Sequence, residues 1–438
     1  MGPSDIYQDK KTTRRQCRHS QAGSALIVSI MMVMVAFMLS YVGLQLITNS
    51  NQASTQQELY TAEAQNVARS GIRDALQWFQ AKNVVAEGDA TPAVAYPDGA
   101  FEPQSSTNPA YSDTMDATIG MVQEYPIAPN GVLWGRYEVP RQGPSPTPYV
   151  SLAAHDISAQ MIPGDTDGQG NVWSVSSIGY VFANRNPSIP FDQYPNKVLA
   201  KTEVTTHFYK LSLVLPADGP AFSSNGASVS LNYNGEAEEG STGTCSIGVT
   251  ENVSNIYVAS GGVTQGPATL IPAASLAVSE VFPGMSLNQL AGIADNYTPT
   301  SLVPTDMGKN LYTLPSGALI FINANSGSGT VTFNATYTFN ATNSVLIVDG
   351  NLDVEPYADA YFSGFIYVTG TAIIKEPANI TGAIIAVNGL ELSEPSAGDI
   401  AQIIYSTSEI QAAEQVLETY RKNSAETLQE TGLPPPGY

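Results

Sequence analysis

The feature of this chain that most limits its fold is an uncharged apolar run near the N-terminus. Residues 24–47 contain no Asp, Glu, Lys or Arg over 24 positions. As an α-helix, this run would be roughly 36 Å long at ~1.5 Å per residue, which exceeds a bilayer core of about 30 Å. A cleaved secretory signal has a shorter apolar run that ends in a small-x-small site. The run therefore predicts a membrane-spanning helix that stays on the chain.

Charge is distributed unevenly around this run. Five of the 18 basic residues and two of the 39 acidic residues precede Ser24, so the remainder of the chain has a net charge of −24. A basic cluster before an apolar helix predicts a cytoplasmic N-terminus and an exported C-terminal region. A strongly acidic surface repels phosphate backbones, so we expect no nucleic-acid partner.

The helical pattern continues beyond the apolar run. Between residues 48 and 83 there is no Pro, and Gly71 is the one Gly. Ala68, Ile72, Ala75 and Phe79 recur at the spacing of one helical face. The pattern predicts a spine helix over residues 24–83. Its apolar face would pack on the chain's own domain, in an assembly, or in both.

Two short motifs in this region carry a family resemblance. The run GSALIV at residues 23–28, followed by the apolar helix, resembles the class III signal of type IV pilins. The run AEAQNVARSGI at 62–72 is similar to the PilX-type minor pilin N-terminal domain, so the resemblance covers about residues 15–80. It implies that a prepilin peptidase cuts between Gly23 and Ser24 and methylates the new N-terminus. It also identifies a helix motif: Ala64, Ala68, Gly71 and Ile72.

Val28 departs from the pilin pattern. Most pilins carry a glutamate five residues after the cut, and the resemblance implies that this carboxylate pairs with the terminal ammonium of the preceding subunit. An unpaired charge in the bilayer is costly, so this pairing would recruit each new subunit. A chain with Val28 at this position offers no such partner, which favours a subunit that starts the filament and lies at its tip. A tolerated apolar residue in a permanent anchor is the alternative.

The exported region predicts an α+β protein with two β-rich parts. Strand patterns at 115–125, 131–139, 171–182 and 197–215, following a long helix, resemble the antiparallel pilin sheet. The predicted boundaries are a leader at 1–23, the spine at 24–83, a pilin-like region at 84–220, a second β domain at 221–405 and a C-terminal helix with tail at 406–438.

The second β domain contains three similar segments. VLIVDG, FIYVTG and IIAVNG end at Gly350, Gly370 and Gly389, and a short strand follows each one. A period near 20 residues predicts coils of a parallel β-helix, with an antiparallel sandwich as the alternative. Segments 318–323 and 256–260 would be earlier coils. The predicted helix from Thr407 or Ser408 to about Gly432 would cap the last coil.

The sequence offers little chemistry for an enzyme. His155 and His207 are 52 residues apart, and no hydrolase, zinc-protease or nucleotide-binding motif is present. Asp165 and Asp167 lie in a run that resembles a calcium loop, but Gln169 and Ser176 stand where carboxylates are expected. An Asx/Gly turn is the favoured interpretation of that run, so we expect no cofactor, with calcium as the alternative.

These observations predict a minor pilin-like structural protein rather than an enzyme. It would start in the bacterial inner membrane, with its C-terminal domain in the periplasm, and later reach the pilus and cell surface. The implied partners are prepilin peptidase, the major pilin, other minor pilins and a tip adhesin. The alternatives are a permanently anchored periplasmic β-helix protein, a tip pseudopilin of type II secretion and a polysaccharide-active enzyme with an acid pair in a β-helix cleft.

Overall fold

The structure is a computed structural model. It describes residues 17–85, 115–116, 119–128, 131–140, 153–162, 170–216, 220–224, 229–231, 235–239, 247–250, 256–258, 263–298, 314–324, 329–334, 338–356, 358, 360–375, 377–393 and 400–429. The backbone alone is described at 17–25, 81–85, 115–116, 229, 235, 263, 296–298, 393 and 429.

One helix dominates the N-terminal region. It spans 69 residues without a proline, and the predicted long N-terminal helix is thereby confirmed. A division between Glu63 and Ala64 separates the chain into two structural units. The helices are α1 (Cys17–Val85), α2 (Ser158–Met161), α3 (Val278–Val281), α4 (Leu287–Ile293) and α5 (Thr407–Glu418), with a 3₁₀ turn at Ala273–Leu276.

The second unit is rich in strands. They are β1 (Met115–Asp116), β2 (Gly120–Pro126), β3 (Leu133–Pro140), β4 (His155–Asp156), β5 (Val172–Ala183), β6 (Lys197–Tyr209), β7 (Phe222–Ser224), β8 (Val229–Leu231), β9 (Gly235–Glu238), β10 (Ile247–Val249), β11 (Ile256–Val258), β12 (Val263–Gln265), β13 (Ala268–Leu270), β14 (Asn296–Thr298), β15 (Leu319–Asn323), β16 (Thr330–Phe333), β17 (Asn340–Asp349), β18 (Asn351–Val354), β19 (Ala360–Val368), β20 (Thr371–Lys375), β21 (Ala378–Ala386), β22 (Gly389–Ser393), β23 (Ala401–Tyr405) and β24 (Arg421–Gln429).

The described residues form three sheets, of which the first is antiparallel. In the described part of the chain its order is β1-β2-β3-β5-β6-β24, with β4 paired to β5. The long β5 and β6 pair along nearly their whole length, and β6 lies within the predicted strand 197–215, where β-branched residues alternate with polar ones. The last strand, β24, was not expected. The sequence predicts a helix up to about Gly432, but the helix ends at Glu418 and residues 421–429 form a strand that pairs with β6.

The other two sheets are parallel, as predicted for a β-helix-like domain. The pairs β15–β16, β17–β18, β19–β20 and β21–β22 form successive coils, and each strand pairs in register with its equivalent in the next coil. The chain turns between the two sheets at Gly350 (φ +139°) and Gly389 (φ +146°), a conformation that favours glycine. Inside the coils, buried residues such as Leu346, Ile366 and Ile384 stack one above another.

The coils do not stack in chain order. Strands β7, β8 and β9 come first in the chain, yet β7 and β8 pair with β21 and β22, while β9 pairs with β23. Strands β10, β11 and β12 then stack on that coil. The part of the predicted early coil 256–260 that the structure describes, β11, therefore lies beyond the last coil rather than before the first. The coil by which the chain enters the module, β7–β9, is paired with the coil by which it leaves, β21–β23. The two ends of the module are therefore adjacent, which permits its insertion between the neighbouring strands β6 and β24.

The predicted lid on the last coil is wrong. Helix α5 packs across the outer face of the parallel strands, where Ile410, Ala413 and Leu417 are buried in one cluster with Val345 and Phe365. The physical reason is that segments 345–348, 365–368 and 383–386 of these strands are hydrophobic at every position, so both faces of the sheet need cover there. Ser406, rather than Thr407 or Ser408, is the N-cap. The outer face is also covered by the 3₁₀ turn and α3, since Tyr367 donates to the carbonyl of Leu276 at 2.8 Å.

Candidate assembly surface

The apolar part of α1 is the first candidate surface. Its large side chains from Leu26 to Ile47 are exposed, and the Phe37 side chain is 72% accessible. By length and composition, α1 is the one helix in the described part of the chain that is able to cross a membrane. Because water would disfavour so much exposed apolar surface, the segment requires lipid or other apolar helices around it.

The polar side chains of this segment bond within the helix. Ser40 Oγ donates to the carbonyl of Ala36 at 2.9 Å, and Thr48 Oγ1 donates to that of Leu44 at the same distance. The Gln45 amide donates to the Tyr41 hydroxyl at 2.7 Å. Each of these groups thus has a partner without water, which lowers the cost of placing the helix in an apolar environment.

The residues implied in processing lie at the start of α1. Gly23 and Ser24 belong to its first turns, where the structure describes the backbone alone. Val28 lies one turn further along, and its side chain is 54% accessible. Their proposed roles depend on a peptidase and on neighbouring subunits, so the sequence motif remains the evidence for them.

The helix motif forms the interface between α1 and the antiparallel sheet. Ala64, Ala68, Gly71 and Ile72 are all buried. The approach is unusually close, because a Cβ added to Gly179 of β5 would lie 2.1 Å from the Ala64 carbonyl oxygen. This part of α1 therefore packs on its own domain, one of the two roles that the sequence left open.

An aromatic cluster extends this interface. The Phe79 ring lies 5.3 Å from those of Trp173 and Phe208 and 5.0 Å from that of Tyr420, centroid to centroid. Rings at these distances in tilted or edge-on geometry attract one another. Tyr420 follows α5, so its participation links the segment after the β-helix-like module to α1. No sequence signal indicated that Tyr420 contacts Phe79, because these two residues lie more than 300 positions apart along the chain.

Charged and polar contacts secure the edges of the interface. Arg69 Nε lies 3.0 Å from Glu426 Oε2, and Gln80 donates to the Tyr420 carbonyl at 3.0 Å. Burial acts to raise the pKa of Glu426, but Lys422 and Arg69 outweigh it and hold that pKa below its ordinary value. The hydroxyl of Tyr137 donates to Asp74, and burial with this bond raises its pKa.

The candidate residues for metal or acid–base chemistry are arranged as follows. His155 and His207 both pair with Ser174 of β5, from opposite sides. Burial, and then the proximity of His155, lower the pKa of His207, which favours the neutral imidazole. Asp165 and Asp167 lie outside the described residues. Within the described residues, no group of three or more His, Cys, Asp or Glu side chains is placed to hold a metal ion.

Comparison with known proteins gives matches among solved structures alone. No protein-family model and no curated protein matches this chain. Among solved structures, the competence-associated pilin ComZ from Thermus thermophilus aligns with 85% of this chain and 98% of that chain, at 11% identity and a TM-score of 0.21. A likeness this weak adds nothing to the argument about function.

Proposed function

We propose that this protein is a minor pilin-like subunit of a type IV filament, with a structural rather than enzymatic role. The observation that carries the proposal is a single helix with two different surfaces. Residues 26–47 are uncharged and exposed, whereas the part from Ala64 packs closely on an antiparallel sheet. A subunit that moves from membrane to filament needs an apolar segment able to exchange lipid for neighbouring helices, and a rigid attachment to its head.

In this proposal, export leaves the leader in the cytoplasm and the β-rich head in the periplasm. Prepilin peptidase removes residues 1–23 and methylates Ser24, as the GSALIV motif implies. The helix then packs against the major pilin and other minor pilins in the filament core. The class III-like signal supports this sequence of events, and a filament of a secretion system would use the same steps.

We place the subunit at the filament tip on two grounds. Val28 offers no carboxylate to the terminal ammonium of a preceding subunit, so the chain is suited to start assembly. The β-helix-like module, inserted between β6 and β24, adds bulk that would be hard to accommodate repeatedly around a thin shaft. A tip position would display this module as an interaction head and allow a separate adhesin to bind there.

Two variants test this function. Gly23→Val adds branched bulk beside the proposed scissile bond, so we expect leader retention, absence from sheared filaments and accumulation in the inner membrane. Gly43→Val is the matched control for leader removal, because it adds the same side chain to α1 at a position 20 residues from the proposed scissile bond, where nothing lies within 4 Å of the added Cβ; its leader is expected to be removed as in the wild type. Equal amounts of Gly23→Val and wild-type chain in filaments would refute processing at this site.

Immunogold labelling of the head tests the tip position. We expect label at one end of each filament. Val28→Glu supplies the missing carboxylate and is expected to add label along the shaft. Regular labelling of the shaft by the wild-type protein would contradict the tip assignment while leaving the pilin-like function intact.

A further inference from the structure

A row of planar polar side chains crosses the outer surface of the β-helix-like module. Strand pairing places Tyr361 of β19 opposite Asn379 of β21, Asn379 opposite Gln402 of β23, and Gln402 opposite Glu236 of β9. Paired strands lie about 4.8 Å apart, so the four side chains form a regular row over three strand spacings. Glu238 lies two positions along β9, on the same side as Glu236.

Hydrogen bonds determine which polar atoms of the Asn379 and Gln402 amides are available to a ligand. The Gln402 amide nitrogen donates to Glu236 Oε2 at 3.2 Å and to Glu238 Oε1 at 2.7 Å, which commits both of its N–H groups and leaves its carbonyl oxygen as an acceptor. Thr381 donates to Asn379 Oδ1 at 3.3 Å, so the Asn379 amide offers its two N–H donors. A donor and an acceptor therefore stand on neighbouring strands.

These two amides line a shallow surface cavity that is open to solvent. Its volume is about 260 Å³, and its walls are Ala360, Pro377, Ala378, Asn379, Ile400 and Gln402. Apolar walls with a few convergent polar groups are the usual composition of a small-molecule site. Tyr361 is next to Asn379 in the row, and its side chain is 45% accessible. An exposed aromatic face next to amide donors and acceptors matches the alternating C–H faces and hydroxyl groups of a sugar.

From this arrangement, we propose that the row Tyr361–Asn379–Gln402–Glu236 is a binding site for a neutral glycan chain, which it binds without cleaving. Tyr361 stacks on one sugar ring, and Asn379 and Gln402 form hydrogen bonds with the hydroxyl groups of the next ring. The carboxylates of Glu236 and Glu238 position Gln402 through its amide nitrogen and accept from sugar hydroxyls at the end of the row.

Charge narrows the ligand class. Two carboxylates adjoin the cavity, and Gln265 also donates to both of them, at 3.0 and 3.1 Å. Burial, opposed by the bond from Gln402 and reinforced by Glu236, raises the pKa of Glu238, as expected where two carboxylates share one site. A uronate, sulfated or phosphorylated polymer would add a third negative charge here, so the site selects against anionic glycans.

The experiment uses the full chain in a zwitterionic detergent without a sugar headgroup. An array of immobilised neutral glycans identifies the best ligand, whose soluble hexamer is then titrated calorimetrically, with hexagalacturonate as the anionic comparison. We expect the neutral hexamer to bind and hexagalacturonate to bind at least ~10-fold more weakly. The proposal would be overturned if no neutral glycan binds, or if hexagalacturonate binds as tightly as the neutral hexamer.

Three variants locate the site on the protein. Tyr361→Ala removes the stacking face, and Asn379→Asp removes the donors at nearly constant shape. Each is expected to weaken hexamer binding by about 10-fold or more, the equivalent of one good contact. Tyr257→Ala is the matched control, since this 62% accessible tyrosine lies on β11 in the other parallel sheet. Unchanged binding in both site variants, or an equal loss in Tyr257→Ala, would place binding elsewhere and overturn the proposal.

Discussion

Substitution of Gly179 by alanine tests how closely α1 must approach the antiparallel sheet. The added Cβ would lie 2.1 Å from the Ala64 carbonyl oxygen and 2.5 Å from the Ala68 nitrogen, whereas ordinary contact begins at 3.4 Å. Both obstructing atoms belong to the main chain and cannot rotate away. The helix must therefore move away from β5 by ~1.3 Å, and a gap of that size removes much of the dispersion energy of the interface.

The size of the destabilisation depends on which buried side chains move together with α1. Val67, Ala68, Ile72, Ala75 and Phe79 are all 0–2% accessible, so each loses part of its packing. Overpacking costs about 1–3 kcal/mol, and we expect the upper end because the obstruction is rigid. Removal of a strand glycine returns roughly 0.5–1 kcal/mol. The net destabilisation is therefore expected to be about 2 kcal/mol.

Tryptophan fluorescence during urea unfolding of the full chain in detergent measures this change. All three tryptophans, at positions 78, 134 and 173, lie in α1 and the antiparallel sheet. The fluorescence signal therefore reports the unfolding of α1 and this sheet. Gly135→Ala is the control in the same sheet. The atoms nearest to its Cβ would belong to side chains, those of Val67 at 2.8 Å and Ile127 at 3.2 Å, so the backbone need not move and we expect a smaller loss of stability than for Gly179→Ala. A wild-type unfolding midpoint for Gly179→Ala would refute the close packing of α1 on β5.

Three further predictions concern the second unit, all measured as the free energy of unfolding in urea. Phe79→Ala empties the centre of the aromatic cluster and is expected to cost about 3–5 kcal/mol; a cost below ~1 kcal/mol would mean that the cluster is not formed. Burial, and then the neighbouring Glu418, raise the pKa of Glu414, so its charged form opposes folding and Glu414→Gln should stabilise the protein at pH 7. That gain should vanish below the ordinary glutamate pKa of about 4.3, and a gain independent of pH would contradict it. The pKa of Glu426 is lowered, so its contribution is present above the ordinary glutamate pKa and is lost as the pH falls through the lowered value. Glu426→Gln should therefore destabilise the protein at pH 7 and have no effect in acid, whereas an equal effect at both pH values would count against the ion pairs with Arg69 and Lys422.

Local patterns predicted the elements of this fold well. Ala68, Ile72, Ala75 and Phe79 form the buried face of α1, as their spacing required. The repeated glycines lie at or beside the corners of successive parallel coils. Both features depend on interactions between residues close in the chain or one repeat apart, where spacing alone carries the information.

The pairing of strands that are distant in the sequence could not be predicted from the same local patterns. The stacking of 222–238 on the coil of β21 and β22 depends on pairing over more than 140 positions, and no local spacing encodes it. The strand at 421–429 is polar at most positions and pairs with β6 at the edge of its sheet, so an amphipathic-helix pattern continued from α5 was preferred. The proposed glycan site could not be predicted from the sequence for the same reason. The strand register brings its residues together: Tyr361, Asn379, Gln402 and Glu236.

The central claim is that Ser24 becomes the N-terminus of a filament subunit, and mass spectrometry of purified filaments tests it most directly. We expect a proteolytic peptide that begins at N-methylated Ser24 and contains Val28, from filaments sheared from the cell. Detection of the chain solely in membrane fractions, with residues 1–23 still attached, would contradict the claim and favour a permanent membrane anchor.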